Sequence, residues 1–268
     1  MGSFTSTMRG GVSRARRRMR IAAFDVDGTL LDGQLGRPLL RRVLDAGIVS
    51  RDDLAPIGRH LASMAPDGFE DAGVIAETYR LYGQTLRGVS CDAIDALVNE
   101  AWEGQRDDLF GFVRPLVADL RDAGFVPMLI SGGIHELVGL LAADLGIDRY
   151  RGMRLERAAG VFTGRVAPAA GAPKHEVAHA LAGGRSIRWS QSVAVGDSLP
   201  DADLLGRVGH PYAFEPTPAL AARAREHGWT ITGRETVRPL VRARLGLRTV
   251  GSACDSVGSA SALSLQGG

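Results

Sequence analysis

Between residues 21 and 245 the chain alternates short unbroken apolar runs with longer stretches in which apolar residues recur every three or four positions. The first run, IAAFDVDGTLL at 21–31, has the continuity of a buried strand and delivers Asp25 and Asp27 at its end. The spacing then turns helical for about seventy residues. Leu39, Leu40, Val43 and Leu44 share one face, Pro38 suits a first turn, and Gly47 is placed to stop the helix. Ser50 with Asp53 reads as a capping box opening a second helix, and helical patterns follow over 70–86 and 92–103. Beyond 108 the rhythm becomes βαβ: a helix over 112–123 ended by Gly124, a strand at 125–130, and a helix over 134–145. A Gly-interrupted stretch at 150–166 predicts a pair of small strands. Helices are predicted at 174–181, 219–227 and 237–245, and strands at 193–195 and 209–214.

Strands separated by helices predict an α/β fold: a doubly wound, Rossmann-like parallel sheet with an inserted helical cap. The division expected is a core over 20–33 and 108–247 and a cap over 34–107. A disordered basic segment is expected at 1–19, and a disordered Ser/Gly/Ala-rich tail at 248–268. Helices inserted between a strand that ends in carboxylates and the next core helix read as a lid that excludes water and selects substrate.

Composition narrows the class. The 268 residues suffice for a full core, and 45% apolar with 23% charged residues is ordinary for a soluble globular protein. A net charge of +2 gives no strong electrostatic partner. The arginines at 14–18 read as a solvated start rather than a nucleic-acid or lipid contact, and no hydrophobic region follows them as in a secretory signal. No apolar stretch approaches the ~20 residues of a membrane span. Cys91 and Cys254 form neither a disulfide framework nor a metal spacing, so a cytoplasmic location is expected.

Several residues carry chemistry. Asp25 and Asp27 lie where open α/β sheets bind ligands, and in a regular strand their spacing would keep both carboxylates on one face. Asp27-Gly28 is also a hairpin signal, which leaves a purely structural turn as the lesser alternative. Lys174 is the only lysine among 32 Lys and Arg residues, so this position selects a compact ammonium over a planar guanidinium. Beside it, His175-Glu176-Val177-Ala178-His179 fits H-E-x-x-H and opens the alternative of a zinc-dependent hydrolase. Ala182 and Arg185 stand where the longer metzincin signature needs glycine and a third histidine, although Asp203 could supply an acidic ligand.

Asp-x-Asp-Gly-Thr-Leu after an apolar strand resembles the first motif of the haloacid dehalogenase superfamily, and three more motifs follow in that family's order: Ser131-Gly132-Gly133 after a second strand, Lys174 opening a helix, and Gly196-Asp197-Ser198-Leu199-Pro200-Asp201 after another strand. The layout is similar to the phosphoserine phosphatase-like branch. The resemblance implies a phosphatase acting on a small phosphorylated metabolite through an aspartyl-phosphate. It implies Asp25 as nucleophile and Asp27 as general acid-base. Ser131, Gly132 and Lys174 would bind the phosphate, with Ser131 and the amides after it at a helix N-terminus. Asp25, the Asp27 carbonyl, Asp197 and, in support, Asp201 would hold Mg²⁺. The physical need is charge: a carboxylate approaching a phosphate dianion meets about 1 kcal/mol of repulsion per charge pair at 4 Å in water, and about 4 at an effective dielectric of 20. Phosphoserine phosphatases carry a substrate-binding glutamate where this chain has Gln34, so specificity for phosphoserine is not expected. The expected partner is a small phosphate monoester, with neither nucleic acid nor membrane; a homodimer is left open. A non-catalytic binding protein on the same fold is the remaining alternative.

Overall fold

The computed structural model describes residues 18–64, 70–168 and 171–247; the two terminal segments expected to be disordered lie outside these, apart from Arg18 and Met19. Six strands form a parallel sheet: β1 (Ile21–Phe24), β2 (Val126–Ile134), β3 (Tyr150–Met153), β6 (Val193–Gly196), β7 (His210–Phe214) and β8 (Thr230–Thr232). Their spatial order is β3-β2-β1-β6-β7-β8. The order runs one way from β1 through β2 to β3 and the other way from β6 to β8, so the topological switch point lies between β1 and β6. Pairing is in register there, with Ala22 opposite Val193 and Phe24 opposite Val195.

Why β1 reads as an unbroken apolar run is visible in its surroundings. All four of its residues are buried, and they alternate between two cores. Ala22 and Phe24 join one cluster with Leu129, Val195, Tyr212 and Phe214. Ile21 and Ala23 join the other with Met128, Ile130, Ala194 and Ala213. Helices α5 (Val113–Asp122), α6 (His135–Asp144) and α10 (Val237–Leu245) contribute to the first cluster, and α7 (Lys174–Leu181), α8 (Ala202–Leu205) and α9 (Pro218–Glu226) to the second.

Between β1 and α5 come α1 (Gly36–Asp45), α2 (Arg51–Ser63), α3 (Ala72–Thr85) and α4 (Cys91–Glu103). The predicted start of α2 is present as a reciprocal capping box between Ser50 and Asp53. Leu39, Leu40 and Val43 form the buried face of α1, and Gly47 follows with φ +68°.

Two local expectations need correction, and one strand was not foreseen. The 150–166 stretch is not two strands but three: β3 extends the main sheet, while β4 (Leu155–Ala158) and β5 (Val161–Val166) form a separate antiparallel hairpin. That hairpin packs against the helices of the 34–107 stretch, with the Cys91 and Gly88 amides donating to the Gly160 and Phe162 carbonyls. The Ser131-Gly132-Gly133 stretch does not open a helix; β2 continues through it past an irregularity between Ile130 and Ile134, because Ile134 still pairs with Met153, and α6 begins at His135. Finally, β8 carried no recognisable apolar run: Thr230-Ile231-Thr232 is too short and too polar to stand out.

Candidate active site

The first motif folds as a strand end followed by a tight turn. The strand proper stops at Phe24, so Asp25 and Asp27 do not share the face of a regular strand. The Val26 carbonyl accepts from the amides of Thr29 and Leu30 at 3.1 and 2.8 Å, which winds 26–31 into a compact loop. The alternative hairpin at Asp27-Gly28 is also absent, since β1 pairs only in parallel. Gly28 is nonetheless required. Its φ is +77°, and a β-carbon there would lie 2.7 Å from the Asp197 carboxylate. The loop brings both carboxylates to one cavity at the switch point, lined also by Gly132, Lys174 and Asp197.

Four remote segments meet at the floor of this cavity. Lys174, the first residue of α7, places its Nζ 2.5 Å from Asp25 and 2.6 Å from Asp201. The other oxygen of Asp201 accepts from the amides of Asp197 and Ser198 at 3.1 and 3.2 Å. Both Asp201 oxygens are thus engaged, which makes it an anchor for Lys174 and for the turn after β6. Asp197 accepts from the hydroxyl of fully buried Thr29 at 2.9 Å. Asp27 accepts from the Leu35 amide at 2.7 Å. Ser131, expected to face phosphate, is buried beside Asp27, and its hydroxyl accepts from the Gly133 amide at 2.8 Å.

Burial and crowding shift these groups far from their usual titration. Asp25 is pushed up to about 6, chiefly by burial, with Lys174 opposing and Asp201 adding. Burial and then the charge of Asp25 push Asp27 up to about 7. Asp197 rises to about 8 through burial and the charges of Asp25 and Asp201. Burial works against the charge on Lys174, but Asp201 and Asp25 outweigh it and hold its pKa above the ordinary value. Four carboxylates around one ammonium leave excess negative charge in a confined space. One oxygen from each of Asp25, Asp197 and Asp201 lies within 4.8 Å of the others, the only such group of three among the described residues. The donors are all hard oxygens, with no histidine or cysteine, and suit Mg²⁺ rather than zinc.

The H-E-x-x-H pair is otherwise occupied. His175 bonds Asp203 through Nδ1 at 2.5 Å and faces Arg207 through Nε2 at 3.2 Å, while His179 is exposed. No third ligand joins them among the described residues. The cavity also holds residues that the sequence did not single out: Arg37, Glu70, Tyr79 and Thr217. Tyr79 of α3 approaches Gly132 so closely that a β-carbon at Gly132 would lie 2.4 Å from its hydroxyl. Thr29, which bonds Asp197, had a readable signal as a lone hydroxyl inside an apolar motif. The others come from helix faces and loops whose pattern says nothing about direction.

Comparison with known proteins agrees with this geometry. Residues 22–206 match the family model for haloacid dehalogenase-like hydrolases. Phosphoserine phosphatase SerB2 of Mycobacterium tuberculosis is 31% identical over 77% of this chain, which spans 46% of that relative's length. The phosphoserine phosphatase of Streptococcus thermophilus is 31% identical over 58% of this chain and 78% of its own. A crystal structure of phosphoserine phosphatase in apo form shares the fold at TM-score 0.58 and 21% identity, covering 85% of this chain and 98% of that one. The chain belongs to the haloacid dehalogenase-like hydrolase family, in its phosphoserine phosphatase-like branch. It is accordingly an enzyme of the hydrolase class. Among the described residues no helix is long and apolar enough to cross a membrane.

Proposed function

We propose that the protein is a Mg²⁺-dependent phosphomonoester hydrolase that works through an aspartyl-phosphate on Asp25. The observation that carries this reading is the convergence of Asp25, Asp27, Lys174 and Asp197 from three segments on one cavity. Lys174 in contact with Asp25 offsets charge as the carboxylate nears an anionic phosphoryl group. Asp25, Asp197 and the Asp27 carbonyl would hold the metal, with Asp201 in support, and the ion would supply further charge neutralisation at the phosphoryl oxygens. Gly132 lines the same space, and its amide together with the neighbouring Ser131 hydroxyl would bind the phosphoryl group.

The reaction runs in two halves. An Asp25 oxygen attacks phosphorus, the bond to the alcohol oxygen breaks, and Asp27 gives that oxygen its proton. Asp27 then takes a proton from water, whose oxygen attacks phosphorus and releases Asp25 and inorganic phosphate. A carboxyl whose pKa is pushed up to about 7 is suited to both transfers near neutral pH. The helices α1 to α4 act as the cap over this chemistry, since Tyr79 and Tyr82 of α3 line the cavity.

The test uses two variants and two substrates. Asp25→Asn should abolish turnover of both an alkyl phosphate and p-nitrophenyl phosphate. Asp27→Asn should lose ~10²–10⁴ on the alkyl phosphate and far less on p-nitrophenyl phosphate, whose leaving group needs little protonation. Near-native turnover by Asp25→Asn, with deamidation excluded by mass spectrometry, would end this reading.

A further inference from the structure

The cavity that receives the carboxylates has a second surface for which the phosphoryl chemistry has no use. Its volume is about 400 Å³, within the roughly 300–1,000 Å³ of pockets that enclose whole organic ligands. Away from the carboxylates it is lined by Leu40, Ile57, Leu61, Ile75, Tyr82 and Met153. The hydroxyl of Tyr82 is spent on the Gly36 carbonyl at 3.1 Å. Thr78, which also lines the wall, is bonded to the Val74 carbonyl and to His60 at 2.8 and 2.9 Å. What this wall offers a ligand is therefore hydrocarbon.

Two charged side chains on the cap side, Glu70 and Arg37, also line the cavity. Glu70 accepts a hydrogen bond from Thr217, and Arg37 is exposed. Gln34 offers a neutral amide. A substrate body bearing an ammonium and a carboxylate on one carbon would set charges against an apolar wall, where unpaired charge is costly. A hydrocarbon body would gain from the same contact.

We propose that the alcohol released is largely hydrocarbon: the substrate is the phosphate monoester of a primary alcohol whose chain packs on the Leu40, Ile57, Leu61, Ile75 and Met153 surface while the phosphoryl group meets Asp25. This rests on the hydrolase reading above and narrows it to a substrate class. Each methylene moved from water onto this surface is worth about fourfold in kcat/KM.

The experiment measures kcat/KM of the full chain with Mg²⁺ on n-alkyl phosphates from ethyl to decyl, with O-phosphoserine and p-nitrophenyl phosphate alongside. Expected is a rise of two- to fourfold per methylene until the cavity is filled, with O-phosphoserine at or below ethyl phosphate. Leu61→Gln and Ile75→Gln, at half-buried wall positions, should flatten the rise mainly through KM. A flat series, or O-phosphoserine tenfold or more ahead of the longer esters, overturns the proposal. Binding of n-alkylphosphonates by calorimetry reads the surface without turnover: affinity rising with chain length supports the apolar wall as the seat of a hydrocarbon chain even in a protein that cleaves no ester. In that outcome the hydrolase reading fails instead. Esters hydrolysed through Asp25 at rates blind to chain length, with phosphonate affinity equally blind, leave the hydrolase reading standing and remove this one.

Discussion

Replacing Asp27 by asparagine should make the metal-free protein more stable, and by an amount that grows with pH. The folded structure raises the Asp27 pKa from 3.8 to about 7. A carboxyl with a raised folded-state pKa destabilises the fold once ionised: the penalty is absent below pH 4, builds between 4 and 7, and is complete above 7. Three units correspond to ~4 kcal/mol, of which linkage places ~2.5 kcal/mol between pH 5 and pH 8. Asp27 is half-buried rather than sealed, so solvent screening reduces the expected growth to ~1 kcal/mol. Asparagine keeps an oxygen for the Leu35 amide, 2.7 Å away in the parent, and carries no charge at any pH. Comparing variant with parent at each pH is essential, because His135, which burial pulls down to about 4, titrates with the opposite sign in the same window. The assay is thermal denaturation in chelator, where the variant's advantage should widen by ~2–4 °C from pH 5 to pH 8. An advantage that is constant or shrinks with pH would falsify the electrostatic account of Asp27.

Lys174→Arg should lower kcat ~10²-fold or more while leaving the protein folded, because a planar guanidinium does not reproduce a point contact to both Asp25 and Asp201; steady-state kinetics beside circular dichroism decides it. Thr29→Val, nearly isosteric, removes the 2.9 Å bond to Asp197 and should raise the Mg²⁺ concentration for half-maximal activity about tenfold; an unchanged Mg²⁺ titration would leave Thr29 a packing residue. Gly28→Ala forces a left-handed alanine and a β-carbon 2.7 Å from Asp197, so it should lose more Mg²⁺ activation than Thr29→Val, read by the same titration.

How much of this was legible in the sequence depends on what each feature rests on. Strands buried on both faces leave uninterrupted apolar runs, so β1, β2 and β6 could be read directly, and with them the residues that follow each strand. Asp25, Asp27 and Asp197 follow such strands, while Lys174 stood out as the sole lysine and Asp201 through the family's fourth motif; Asp25, Asp27, Lys174 and Asp197 line one cavity, and Asp201 bonds Lys174 at its floor. The direction of Ser131 was not legible, because whether its hydroxyl faces Asp27 or open space depends on how far β2 runs beyond Ile130. Neither was the apolar wall. Leu40 and Ile57 have the same spacing as any helix core, and only packing shows that part of that face borders a cavity. The H-E-x-x-H spacing was legible but uninformative, since it reports a shared helix face and nothing about Asp203 waiting opposite.

The hairpin β4–β5 bears on how this protein can be rearranged. The α1–α4 block is one contiguous insertion in sequence, which invites its treatment as a cassette to be exchanged between relatives to transplant specificity. The chain, however, returns to that block a second time. Leu155 and Phe162 of the hairpin are buried, and Gly83 of α3 lies so close that a β-carbon there would be 2.9 Å from the Gly164 carbonyl. A transplant cut only at the ends of the helical stretch would strip the hairpin of its partner and expose its apolar side. Exchange therefore has to move two pieces of chain together, one before the second motif and one after it. Natural variation of substrate choice meets the same constraint: a change in α3 at the Gly83 contact has to be matched by a change some eighty residues later.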